Sequence, residues 1–451
     1  MTMRPKPPTV IAQLLAATSG LARFILFVPL LGQVAQAQLL PHGVQLPQVQ
    51  LPGNLEQLGT APLATLDPVV VQQAYQRRIK ELLRRYPKVI ERDPQGAPMV
   101  RGELLAYAPD AAVMGRAIAQ GFVPLRQLRL DGLDVSLIIL QAPAGASTAQ
   151  ALVRLRSVDP TGLYEFNHLY IDSGETGGNA PSPASPPAEA LRSPASPNHV
   201  TVGLIDGGID SNHPVFHQVM IHRFGCNGKV LPTAHGTAVA SLLVGRSTTF
   251  QGAAPNAELF AADVYCAAPT GGAVDSVAQA LAWMTQQDVP VINISLVGPY
   301  NAILAQVVRA VTARGGIIVA AVGNEGPAAQ PLYPASYAEV LAVTAVDGRG
   351  RLLLEAGRCT HIDFAAPGAD IRAAAPGTAY TAVRGTSFAA PIVAGFAATF
   401  RHEAPRPDPV SWVRAKLAAE AVQPKHPDPR LGGGILGQDL EIKLNSSADA
   451  R

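Results

Sequence analysis

The sequence predicts an α/β fold, a parallel sheet covered by helices on both faces, preceded by a small α+β domain. Three observations carry that reading. From Val200 onward, near-continuous runs of Val, Ile and Ala alternate with amphipathic segments of helical length, the pattern of strands buried on both faces by crossover helices. From Met99 to about 172, strand-like and helix-like pieces follow one another in a different order. A stretch from 173 to 198 dominated by Ser, Gly, Ala and Pro, with six prolines between Pro181 and Pro197, separates the two. Such a composition buries too little apolar surface to order itself.

Taken in order, residues 1–37 read as a secretory signal. Arg4, Lys6 and Arg23 precede the apolar run Phe24 to Leu31, and Ala35-Gln36-Ala37 offers the small residues a signal peptidase accepts. The run is too short to span a bilayer, and no other stretch reaches about 18 uninterrupted apolar residues. A secreted or periplasmic protein with no membrane span after signal removal is expected. Residues 38–98 form a loosely structured lead-in with one helical stretch. Its cations Arg77, Arg78, Lys80, Arg84 and Arg85 interleave with Ile79, Leu82 and Leu83, which reads as a solvated helix face.

The small domain, 99–172, divides into Val100 to Tyr107, Asp110 to Gln120, Val123 to Leu130, Val135 to Leu140, Thr148 to Ser157 and Leu163 to Ile171. That order is βαββαβ, a ferredoxin-like split βαβ unit. Asp131-Gly132-Leu133-Asp134 is the expected hairpin turn, and Asp110 and Ser147 or Thr148 are the expected helix caps. The 173–198 linker is an accessible place for cleavage. The larger domain occupies 199–440, and 441–451 is a C-terminal tail.

Charge excludes one class of partner. With 35 Lys and Arg against 33 Asp and Glu, a net charge of +2 and only 15% charged residues, nothing points to nucleic acid. The three cysteines leave at least one thiol unpaired; Cys226 and Cys266, flanking the His235 segment, are the favoured pair, with other pairings open. His213, His217 and His222 cluster loosely, but Pro214 interrupts them and no acidic partner is evident, so no metal is assigned.

Three short segments carry the chemistry. Asp206 ends an apolar strand and is followed by Gly207 and Gly208, His235 opens a helix before Gly236, and Ser387 stands in Gly385-Thr386-Ser387-Phe388-Ala389-Ala390-Pro391 at another helix start. A serine hydroxyl is a weak nucleophile at neutral pH. It needs an imidazole to take its proton and a carboxylate to orient that imidazole. Acyl transfer also needs a donor for the oxyanion, and Asn324, in Ala321-Val322-Gly323-Asn324-Glu325-Gly326, follows a buried strand.

This order of Asp, His and Ser, with these flanking residues, resembles the subtilisin-like serine peptidases, the subtilases. The resemblance runs from about Val200 to about Leu440 and includes Gly252 to Ala257, Ile294 to Pro299, Tyr333-Pro334-Ala335 and Gly434-Ile435-Leu436. It implies a subtilisin-like sheet, a triad of Asp206, His235 and Ser387, and an oxyanion hole of Asn324 and the Ser387 N–H. It implies that the small domain is a propeptide-type unit covering the active-site face. It also implies an extended substrate bound by strand addition along Ser295, Leu296, Val297 and Gly298.

Two departures bear on specificity. Val297 stands where the family usually has Gly, and Leu332 aligns with a position often occupied by Gly at the base of the S1 pocket. Both add bulk, so small P1 residues are expected. The connection between the His235 helix and Gly252 is shorter than in relatives that bind calcium there. No cofactor is expected, and the acidic residues are not clustered enough to place a weak calcium site. The expected function is that of a secreted serine endopeptidase, made as a preproenzyme and acting through an acyl-enzyme on protein or peptide substrates. The alternatives are a scaffold that captures peptides without turnover, and a lipase or esterase. The latter calls for Gly-x-Ser-x-Gly, which Gly-Thr-Ser-Phe-Ala is not.

Overall fold

A computed structural model describes residues 68–172, 174–176, 200–404, 409–426 and 428–442. The expected signal, most of the lead-in up to 67, nearly all of the linker and the tail from 443 lie outside the described residues.

Helix α1 (Pro68–Arg85) buries Tyr75 and Ile79, four residues apart and therefore on one face. Strand β1 (Ile90–Arg92) follows, then β2 (Pro98–Tyr107), α2 (Ala111–Ala119), β3 (Val123–Leu130), β4 (Val135–Gln141), α3 (Thr148–Val158) and β5 (Leu163–His168). The strands pair antiparallel in the order β3-β4-β2-β5, and β1 pairs with the start of β2, where Met99 stands between Glu91 of β1 and His168 of β5. Asp110 caps α2 by accepting from Val113 N, and Ser147 with Gln150 forms a capping box on α3. The β3–β4 connection ends at Asp134, whose φ of 56° is left-handed, a conformation Asp tolerates.

The segment expected as one strand to Ile171 ends three residues early, at His168. After His168 the chain leaves the small sheet, and β6 (Ile171–Asp172) and β7 (Glu175–Thr176) pair elsewhere.

The larger part is laid down as β8 (Thr201–Asp206), β9 (Ile221–Phe224), α4 (Ala234–Val244), β10 (Glu258–Asp263), α5 (Val274–Gln286), β11 (Val291–Ile294), β12 (Leu296–Val297), α6 (Ala302–Ala313), β13 (Ile317–Ala321), β14 (Leu341–Val346), β15 (Phe364–Pro367), β16 (Ile371–Ala374), β17 (Tyr380–Arg384), α7 (Thr386–Glu403) and α8 (Pro409–Glu420). Seven strands form one parallel sheet in the order β15-β14-β13-β11-β8-β10-β9. Ile317, Val319 and Ala321 face a core with α4, α7 and α8, whereas Ile318 and Ala320 face one with α5 and α6. Both faces of β13 are therefore apolar, which is why its run lacks alternation.

The small sheet is likewise covered twice. Leu104, Ala106 and Leu140 pack beneath α2 and α3, while Leu105, Leu137 and Ile139 join the core of α5 and α6. Arg126 bridges Glu103 and the Asp275 carboxylate at the start of α5, and Asn301 Nδ2 donates to the Phe166 carbonyl.

The α1 face differs from its expected solvated state. Tyr75 and Ile79 pack with Ile171 and Val297, and Arg78 pairs with Asp172 at 3.0 Å. The run of cations read as a solvated face because nothing local to the helix says what packs against Tyr75 and Ile79.

Candidate active site

The end of β8 delivers Asp206 into the protein interior. Its Oδ1 accepts from Gly207 N at 2.7 Å and lies 2.9 Å from His235 Nδ1. Both side chains are buried. The carboxylate only accepts, so Nδ1 carries the proton and Nε2 is left as the basic nitrogen. Nε2 has no hydrogen-bond partner among the described residues.

Local sequence makes this approach feasible. Thr233 caps α4 by accepting from Gly236 N at 3.0 Å, and a Cβ on Gly236 would stand 2.4 Å from the Gly207 carbonyl oxygen. The helix carrying His235 therefore docks directly on the turn after Asp206. On the next strand Asp263 lies opposite Asp206. Burial raises its carboxyl, against backbone hydrogen bonds from Tyr265 and Cys266, and the Asp206 charge adds to the rise. Asp210, the competing acid, accepts from Asn212 and Gly377 backbone N–H groups instead.

Ser387 lies in the first turn of α7 and is fully buried. Its hydroxyl donates to the Ser295 carbonyl at 3.2 Å rather than to His235. The Ser295 hydroxyl in turn donates to the Ser387 carbonyl at 2.8 Å and accepts from Asn293 Nδ2 at 2.9 Å. The neighbouring Phe388 ring lies 5.5 Å from the imidazole, so α4 and α7 bring the two side chains into one pocket.

Asn324 Oδ1 accepts from Thr386 N at 2.8 Å. This contact fixes which end of the amide is which, and Nδ2 lies where a Cβ on Gly385 would be 2.7 Å away. Thr386 Oγ1 holds the loop from behind through Gly323 N and O at 3.1 Å each. Beside it Glu325 accepts from Asn324 N at 2.9 Å, and burial pushes its carboxyl up to about 7 against the backbone N–H groups that lower it.

The expected substrate-binding residues form one wall. Leu296 and Val297 pair antiparallel with Asp172 and Ile171 of this same chain. Gly298 exchanges backbone hydrogen bonds with Tyr333 at 2.9 Å, and Leu332 packs with Val297 and lies against Gly323. Thr386, Asn293, Glu325 and the Glu355–Arg384 pair at 2.6 Å were not singled out from sequence. Their neighbours on the motif segments were the available signal. Cys226 and Cys266 form a disulfide beside this site and Cys359 is free. His213, His217 and His222 contact separate partners, Ala379, Asn212 and Glu258.

The family model described as "Subtilase family" matches residues 198–434. The chain is 40% identical over 186 residues to an alkaline protease of Alkalihalobacillus alcalophilus, covering 41% of this chain and 47% of that protein, so it spans about half of that relative's length. It is 34% identical to subtilisin DY of Bacillus licheniformis over 49% of this chain and 84% of that protein. Fervidolysin from Fervidobacterium pennivorans, described as a keratinolytic enzyme related to subtilisin, shares the fold with a TM-score of 0.59 at 21% identity, covering 78% of this chain and 61% of that one.

Proposed function

Because this chain belongs to the subtilase family, we propose that it is a secreted or periplasmic serine endopeptidase acting through Asp206, His235 and Ser387. The observation that carries the reading is the buried 2.9 Å contact of Asp206 with His235 Nδ1, which leaves Nε2 as a base beside the start of α7. Rotation of the Ser387 hydroxyl away from Ser295 presents its proton to Nε2. Attack on a peptide carbonyl gives a tetrahedral oxyanion stabilised by Asn324 Nδ2 and the Ser387 N–H. His235 then protonates the leaving amine, and water releases the acyl group.

Residues 99–172 act in this reading as a propeptide-like, ferredoxin-like domain of a zymogen. Their antiparallel βαββαβ sheet seated on α5 and α6 supports it. The apolar side chains of Val297 and Leu332 support a preference for small P1 residues. No described helix is long and apolar enough to cross a membrane.

A fluorophosphonate probe tests the activity. Labelling that disappears in Ser387→Ala is the expected result; an unlabelled matured chain would instead favour a peptide-capturing scaffold. Profiling the matured enzyme with a peptide library should return Ala, Ser or Gly at P1, and best cleavage after Phe or Tyr would overturn the small-pocket reading.

A further inference from the structure

The loop between β14 and β15 and the segment after α8 border a second cavity, of about 930 Å³. It shares no lining residue with the cavity at His235. We propose that it binds a monomeric anionic amphiphile, a carboxylate of the long-chain fatty-acid class, with the tail on its apolar floor and the head among its cations. This inference stands apart from the peptidase reading.

The floor is apolar and dry. Leu353, Leu431 and Ile435 line it and are each buried. At the mouth the chain does the opposite, leaving Leu354 76% exposed and Val422 53% exposed on the same cavity. Apolar side chains kept in water beside a concavity gain when an apolar ligand covers them.

The rim is cationic. Arg349, Arg351, Arg358, Lys425 and Arg430 line the cavity, against Asp428 as its single carboxylate. Two of these cations are already matched, Arg351 to Asp347 at 2.6 Å and Arg430 to Asp428 at 2.8 Å. The side chains of Arg349, Arg358 and Lys425 have no hydrogen-bond or ion-pair partner among the described residues. The two nearby carboxylates are also tied to the backbone: Asp347 Oδ1 accepts from Arg349 N and Arg351 N at 2.9 Å each, and Asp428 Oδ1 accepts from Arg430 N at 3.0 Å. They hold the turns in shape and leave the other three charges unanswered. An anionic head placed there breaks no existing pair.

The backbone of the walls argues for a small amphiphile over a peptide. Val422 and Ile435 exchange hydrogen bonds at 2.8 and 3.0 Å, Leu436 N donates to Ala365 O at 2.9 Å, and Leu353 N donates to Ala345 O at 3.0 Å. A peptide that binds by strand addition needs such groups free. Recognition therefore falls to side chains, apolar below and cationic above. A concavity of this volume also lies within the roughly 300–1,000 Å³ of small-molecule sites, which suits one chain better than a flat lipid surface.

The test uses the full-length Ser387→Ala chain, so that no proteolysis intervenes, and titration calorimetry with dodecanoate below its micelle concentration. Saturable binding is expected, while acetate, the head alone, and dodecyltrimethylammonium, the same tail with a cationic head, should not bind at the same concentrations. Arg358→Ala and Lys425→Ala should each weaken dodecanoate roughly two- to fivefold, the size of one exposed charge contact. Leu354→Ser should weaken it too, with thermal unfolding confirming that all three variants are folded. Cys359, the free thiol on the cavity wall, reports the place, because its reaction with a neutral maleimide should slow as dodecanoate is added. An unchanged affinity in all three variants, or an unchanged Cys359 rate, overturns the site. Equal binding of acetate would reveal an anion site with no apolar part, and equal binding of the cationic amphiphile a cleft blind to charge; either overturns the proposal. So does the absence of dodecanoate binding, including the case in which anionic phospholipid vesicles or a glutamate-rich peptide bind instead.

Discussion

Pro391, four residues after Ser387, lacks the amide hydrogen that would close a helical bond to the Ser387 carbonyl. Ser295 Oγ takes that acceptor by donating to it, so a helix defect becomes the tie between Ser387 and the residue that precedes β12. At His235, burial disfavours the charged ring, but the Asp206 charge and hydrogen bond, with the Asp172 charge, outweigh it and raise the imidazole above its usual value; Arg78 acts in the lowering direction. The groups facing the ring thus come from β8, β6 and α1. An NMR titration of the full-length Ser387→Ala protein should show the His235 midpoint move down in Asp172→Asn and up in Arg78→Ala. Breaking the same ion pair from its two ends gives opposite shifts, whereas a purely structural role would give the same sign. In the proposed peptidase only the neutral imidazole accepts the serine proton, so the rising limb of the fluorophosphonate labelling rate against pH should move the same way in chains that retain Ser387.

Among elements, the loops after β9 and β10 are tied by Cys226–Cys266 across 40 residues that include α4. Closing a loop of that length is worth about 4 kcal/mol in the chain-entropy picture, with measured values commonly about 2–4. The Cys226→Ser, Cys266→Ser double variant should lose stability in that range by urea unfolding, and an unchanged midpoint would show that the tie stabilises nothing. Elements with long periodic runs, such as α5, β13 and α7, were legible in sequence because each buries a whole face. The two-residue strands β6 and β7 were not, since two residues have no period and their pairing is decided only by chain segments far away in sequence, and β12 was expected only through the family resemblance.

Across the molecule, the small sheet and the large one share a core through α5 and α6, and the polar edge of that contact is the Arg126 guanidinium with Glu103 and Asp275. Arg126 is 41% exposed, so water screens the pair and Arg126→Ala should cost about 1 kcal/mol. Denaturant unfolding of the uncut Ser387→Ala chain checks this, with a loss well above that figure pointing to an unscreened Asp275. The sequence by itself determined the alternation of strands and helices and the places of Asp206, His235 and Ser387 on them, because a strand-end carboxylate, a helix-start imidazole and a glycine-flanked serine leave local marks. Only the tertiary structure decided what pairs with Leu296 and Val297. Tyr75, Arg78, Tyr170 and Gly174 meet Val297, Asp172, Pro299 and Ser387 across gaps of up to more than two hundred residues, and contacts made at that separation depend on packing that no local pattern encodes.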